Sequence, residues 1–230
     1  MAAGPHVFGN NRQGIWVGEK NTETELRDKL THFLPRLRGP VPGLTDIFLP
    51  QSATLAHKQQ CVGAGFFVST YIVAHGDSAV TLADKALAHR NRLKSGAIEF
   101  NLEGAAVQDP VLKQYATALV ARVRKTNPNL PIRLNVVPFK GYVLPVSLIN
   151  GDDQLFVIAQ NYGGNMEVLF GADEVEADLL DWGILRHKVS IQHAVQCSFR
   201  GGPRQLTMPN LRNKGSLYLD DLLLDAGLLP

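Results

Sequence analysis

Short β-rich runs alternate with helical patterns from Gly14 to the C-terminus, and this alternation restricts the possible folds more than any other feature of the chain. The runs are Gly14–Val17, Thr45–Leu49, Gly65–Tyr71, Ala97–Glu103, Ile132–Val137, Leu155–Asn161, Lys188–Ala194 and Ser216–Asp220, eight in all. A helix between two strands carries the chain back across the sheet, so the pattern favours parallel pairing. An open doubly wound sheet usually has fewer strands and a glycine-rich first turn, and no GxGxxG occurs here. Eight βα units in 230 residues match the compact end of the closed-barrel range. The predicted fold is therefore α/β, a single (β/α)8 TIM-type barrel over residues 14–230 preceded by an N-terminal arm over 1–13.

Helix start signals support the alternation independently. Thr22-Glu23-Thr24-Glu25 has the capping-box spacing, and Leu26, Leu30, Phe33, Leu34 and Leu37 then follow one helical face. Asp109-Pro110 supplies an N-cap with proline at the first helical position, and Val111, Leu112, Tyr115, Leu119 and Val123 continue that stripe. Asp173 and Glu176 repeat the box ahead of Leu179 and Leu180. Ser52 and Ser78 are placed to open shorter helices after strands two and three, and a last helix is expected from about Asp221 to near Gly227. Only Val146–Asn150 can turn helically after strand five, and Gly201-Gly202-Pro203 interrupts the chain after strand seven. Shortened or missing helices are expected at both places.

Composition excludes several classes of function. The net charge of +2 arises from 23 basic and 21 acidic residues mixed along the chain, which supplies no concentrated basic face for nucleic acid. No run approaches the ~20 apolar residues of a membrane span, and Met1 to Gly14 lacks the charged and apolar regions of a secretory signal. Cys61 and Cys197 lie far apart and read as buried thiols. The seven histidines form no HExxH or other metal-ligand pair, so neither a metal nor a cofactor is expected.

In a closed parallel barrel, outward strand residues pack under helices, while inward residues near the C-terminal strand ends line the site. By parity the inward set is Ser69 and Tyr71, then Glu99, Asn101 and Glu103, Arg133 and Asn135, Ser190 and Gln192, and Tyr218 and Asp220; the parity of Gln160 and Asn161 stays open. Glu99 and Arg133 lie at similar depth on neighbouring strands and read as a buried ion pair. Glu103 lies higher, at the mouth, with no basic residue at its height on strand five. Tyr71, Asn101, Asn135, Gln160, Asn161, Gln192 and Tyr218 both donate and accept hydrogen bonds, and Trp16 or Tyr162 offers a ring. Amides at the edges and an aromatic face suit a polyhydroxylated sugar, against the plainer alternative of a polar interior satisfied by itself and by water.

Glycosidic cleavage usually takes two carboxylates, about 5 Å apart for retention and about 6.5–9.5 Å for inversion. Glu103 as acid and Asp220 as nucleophile or base form the best pair, because Asp46 sits near the opposite rim and strands five to seven end without an acid. That gap favours a degenerate centre over a working one. His75-Gly76-Asp77 reads as a turn with Asp77 or Ser78 capping the next helix. Arg200-Gly201-Gly202 is a weak phosphate-site pattern that Pro203 undercuts, and Lys140 has nothing nearby to make it a Schiff-base lysine.

Three runs carry a resemblance: Ile132-Arg-Leu-Asn-Val-Val-Pro-Phe-Lys-Gly-Tyr-Val-Leu-Pro145, Leu155-Phe-Val-Ile-Ala-Gln-Asn-Tyr-Gly-Gly-Asn165 and Leu217-Tyr-Leu-Asp-Asp-Leu-Leu-Leu-Asp-Ala-Gly-Leu228. They resemble minor tail proteins of phages that infect mycobacteria and their relatives, carrying a glycoside-hydrolase-like barrel, over roughly Gly65 to the C-terminus. The resemblance implies a virion component at the tail tip, a homo-oligomer packed against other tail proteins, facing an envelope rich in arabinogalactan and peptidoglycan. It assigns no catalytic residue. Three functions follow: a tail subunit that binds envelope glycan, a glycosidase using Glu103 and Asp220, and an architectural subunit whose barrel mouth a neighbour covers. Binding or architecture is preferred to catalysis because of the missing second acid.

Overall fold

A computed structural model of the chain describes residues 13–17, 22–37, 44–102, 112–136, 144–161, 172–193 and 215–218. In order, the elements are β1 (Gln13–Trp16), α1 (Glu23–Leu37), β2 (Leu44–Leu49), α2 (Leu55–Gly63), β3 (Phe67–Val73), α3 (Ala79–Leu93), β4 (Ile98–Asn101) and α4 (Leu112–Thr126). They continue with β5 (Ile132–Val136), α5 (Val146–Gly151), β6 (Leu155–Asn161), α6 (Ala172–Asp181), β7 (Val189–His193) and β8 (Gly215–Tyr218). Every strand pairs in parallel with its neighbours in sequence, and β8 pairs with β1 from Gln13 opposite Gly215 to Trp16 opposite Tyr218, which closes the sheet. A helix follows each of β1 to β6. Gly201-Gly202-Pro203 and the expected helix from Asp221 lie outside the described residues.

The cap expected at Thr22 and Glu25 is present, the helices after β2 and β3 depart from expectation, and Asp109-Pro110 lies outside the described residues. The Glu25 carboxylate accepts from the Thr22 backbone N–H at 2.7 Å, and the Thr22 hydroxyl accepts from the Glu25 N–H at 3.3 Å, so each satisfies a donor the helix leaves free. Ser78 caps α3 by accepting from the Thr81 N–H at 3.2 Å, and that helix is a full 15 residues rather than a short one. Ser52 does not open α2. Thr54 does, its N–H donating to His57 Nδ1 at 3.0 Å, because the chain first turns through 51 and 52 before the helix can start. Among its described residues, the connection after β5 holds the six-residue α5.

Alternate strand residues bury on opposite faces. Outside the ring, Ile72, Ile98, Phe100, Ile132, Leu134 and Val157 pack with Leu82, Leu119 and Val123 from α3 and α4, while Ile47, Leu49 and Val68 pack with Leu26, Leu30 and Phe33 of α1. Full burial of each such side chain contributes about 1.5–3 kcal/mol, which is why the strands read as nearly continuous apolar runs. Inside the ring, Trp16, Phe48, Tyr71 and Val73 form a separate cluster. Phe67, Ala97 and Phe156 fill the interior at the N-terminal strand ends, where the Lys188 ammonium lies 5.1 Å from the Phe156 ring centre and donates to the Asp152 carbonyl at 2.6 Å. The Cys61 thiol is buried, which pushes it up to about 12 and keeps it protonated and unreactive; Cys197 lies outside the described residues.

Candidate functional site

Strand β4 sets the chemistry of the interior. Its outward residues Ile98 and Phe100 hold it against the helices, and its inward residues Glu99 and Asn101 are fully buried in the ring. The register builds two polar rows. Tyr71, Glu99, Arg133 and Phe156 are paired across β3 to β6, and Val73, Asn101, Asn135, Ile158 and Ser190 across β3 to β7.

Glu99 is the centre of this arrangement. Asn135 Nδ2 donates to its Oε1 at 2.7 Å, whereas Arg133 Nη1 lies 3.9 Å from Oε2, beyond hydrogen-bond length. Trp16 makes a weaker contact with the same carboxyl. Burial outweighs all three and pushes the Glu99 carboxyl up to about 7, so it is divided between acid and carboxylate at neutral pH. The expected Glu99–Arg133 pairing is therefore present as a loose contact, and the short bond goes to an amide that sequence reasoning assigned to a ligand.

Aromatic rings surround these polar groups. The Trp16 and Tyr71 rings stack at 4.3 Å with an interplanar angle of 13°, and Phe48 lies tilted against Trp16 at 6.5 Å. The Arg133 guanidinium sits 4.7 Å over the Phe48 ring. The Tyr71 hydroxyl donates to the Val17 carbonyl at 2.7 Å, so Tyr71 ties β3 to the end of β1. Ser69 and Asp46 are also buried on β3 and β2; the Ser69 hydroxyl has no hydrogen-bond partner among the described residues.

Of the expected site residues, Tyr71, Asn101 and Asn135 are thus brought together beneath the mouth. Gln160 pairs in register with Gln192 and Asn161 with His193, and Tyr218 pairs with Trp16. Glu103 and Asp220 lie outside the described residues, as do Tyr162, Lys140 and Arg200. His75-Gly76-Asp77 is a turn, with Asp77 held to Lys85 by contacts of 2.8 and 2.9 Å and Ser78 as the cap. Sequence reasoning missed Phe48 as the ring beneath Arg133; the Asp46 and Phe48 alternation on strand two was the available signal. A cleft of about 410 Å³ between α1 and α2 is lined by Leu30, Thr31, Leu34, Pro35, Gln60 and Ala64, without a titratable group for acid–base chemistry.

No protein-family model and no curated protein matches this sequence. Solved structures do match the fold. The C-terminal domain of a protein described as a chitinase from Desulfitobacterium hafniense superposes with a TM-score of 0.58 at 14% identity. The match covers 81% of this chain and 66% of that one, so the chain spans just under two thirds of it. Concanavalin B gives 0.57 at 9% identity over 95% and 96% of the two chains, and N-acetylneuraminate lyase of Proteus mirabilis gives 0.51 at 11% over 94% and 76%. At these identities the likeness defines a class of fold, a parallel α/β architecture shared by glycoside-hydrolase-like and lyase domains. Activity belongs to the site rather than to that class.

Proposed function

We propose that this chain is a compact (β/α)8 barrel of the glycoside-hydrolase-like type that binds a bacterial envelope polysaccharide at the C-terminal ends of its strands. The ladder on β4 carries this reading: Glu99 and Asn101 are inward and buried, and in the sequence the same alternation runs on to Glu103. Gln160, Asn161, Gln192 and Tyr218 would supply the amide and aromatic contacts that a sugar ring needs. The tail-tip setting, with other tail proteins as partners, rests on the sequence resemblance alone. Retention of the purified protein on insoluble mycobacterial cell wall or chitin, with release by soluble fragments of the same polymer, is the expected result. Failure to bind any glycan on an array that includes arabinogalactan and peptidoglycan fragments would overturn the glycan reading, and antibody labelling of phage particles tests the setting.

A second reading, catalysis, is supported by the sequence alternation that runs on to Glu103 and by the glycoside-hydrolase-like fold of the chitinase domain and concanavalin B. Some glycosidases need a single protein carboxylate because the substrate supplies its own nucleophile, so the missing acid on strands five to seven is not decisive. The variants separate the cases. If Glu103→Gln and Asp220→Asn both abolish release of reducing sugar, the reaction uses two carboxylates; loss in Glu103→Gln alone indicates a substrate-assisted route. No turnover in the unaltered protein leaves binding as the function.

A further inference from the structure

We propose that Glu99 and Arg133 form a proton-driven switch inside the barrel. With Glu99 neutral, the Arg133 guanidinium rests on the Phe48 ring; when Glu99 ionises, the guanidinium moves onto the carboxylate. This device goes beyond glycan binding and operates whether or not a saccharide is present.

The geometry places Arg133 between two alternatives. Its guanidinium carbon is 4.7 Å from the Phe48 ring centre, while Nη1 is 3.9 Å from Glu99 Oε2, so a modest side-chain rotation trades one partner for the other. A cation over a ring face is held by the ring quadrupole, and a carboxylate at this depth attracts the same cation more strongly once it is charged. Burial brings the Glu99 carboxyl up to about 7, so the exchange falls in the neutral range. Arg133 faces Glu99 from β5 and Tyr71 from β3, while Trp16 contacts it from β1. Asp46 on β2, two residues before Phe48, is also buried. On β6, Phe156 and Ile158 carry no charge.

Trp16 reads the exchange. It touches Glu99, lies against Phe48 and stacks on Tyr71, whose hydroxyl holds the Val17 carbonyl at the end of β1. A shift of Arg133 off Phe48 therefore alters the surroundings of the indole and, through Tyr71, of Val17 at the end of β1.

Trp16 and Trp182 are the two tryptophans, so Trp182→Phe leaves Trp16 as the single reporter. Its emission, followed from about pH 5 to about pH 10 with circular dichroism as a check on folding, is expected to show one reversible transition centred near pH 7. Glu99→Gln in this background removes the transition, and Asp46→Asn keeps it. Arg133→Met moves the midpoint up by about 1–3 pH units, because the cation that favours the carboxylate is gone. Phe48→Leu moves it down, because the ring no longer competes for that cation, and it serves as the reading if Arg133→Met does not fold. A flat Trp16 signal in folded protein, a transition that survives Glu99→Gln, or a midpoint unmoved by the Arg133 or Phe48 change would overturn the switch.

Discussion

Glu99 accepts a short hydrogen bond that favours its charge, in a place where burial opposes charge. The balance makes Asn135 more important as the pH rises. A hydrogen bond to a charged group contributes about 1.5–3 kcal/mol and one to a neutral group about 0.5–1.5. Asn135→Ala is therefore expected to cost about twice as much stability at pH 8 as at pH 5, measured by urea unfolding. Gly96 is constrained by contact rather than by conformation. A Cβ there would land on the Phe67 ring, which is itself packed with Ala97 and Phe156 inside the barrel. Gly96→Ala should destabilise by about 1–3 kcal/mol, and Gly96→Ala with Phe67→Leu should recover part of that loss in the same assay.

At the scale of elements, the helices depend on caps and on one apolar stripe each. Ser78→Ala leaves the Thr81 N–H without its acceptor and is expected to cost about 0.5–2 kcal/mol. Leu119→Ala empties a site in the outer core and should cost about 2–5 kcal/mol, with an unchanged denaturant slope if the ring stays intact. These elements were legible because their signals are local. Thr22 with Glu25 and the Leu112, Tyr115, Leu119 and Val123 stripe fix a start and a buried face within one or two turns of chain. The start of α2 was not legible, because Ser52 and Thr54 have equivalent cap chemistry and the choice between them depends on where the preceding turn ends. In the candidate site, alternation gave the inward set on β3, β4 and β5, since period two is a backbone property. It did not give the Asn135 to Glu99 bond or the place of Arg133 over Phe48. Those depend on side-chain rotations and on strand stagger, which puts Leu49 at the end of β2 beside Thr70 and Thr70 beside Ile98 at the start of β4.

For the whole molecule, two buried groups oppose each other as pH changes. Burial raises Glu99 from 4.5 to about 7, so between those values the folded state keeps a proton that the unfolded chain releases, and stability falls as pH rises. Burial lowers His89 from 6.5 to about 4, with Arg92 Nη2 3.0 Å from its Nδ1 and the Leu49 carbonyl 3.4 Å from its Nε2. Between about 4 and 6.5 the unfolded chain binds the proton that folded His89 refuses, so its contribution rises with pH. His57, also lowered by burial, acts in the same direction as His89. Each of the two larger shifts is worth about 3 kcal/mol, and over their common window the slopes offset. Urea unfolding of Glu99→Gln should therefore expose a gain of about 3 kcal/mol on going from pH 4 to 6.5, and His89→Gln a loss of about the same size from pH 4.5 to 7.

The pairing of β8 with β1 has a consequence for assembly. A ring of strands has no unpaired margin, so it offers no backbone N–H and C=O template onto which a neighbouring copy can add a strand. Among the described residues, self-association would have to use helix faces rather than a strand edge, through side chains whose replacement leaves the ring standing.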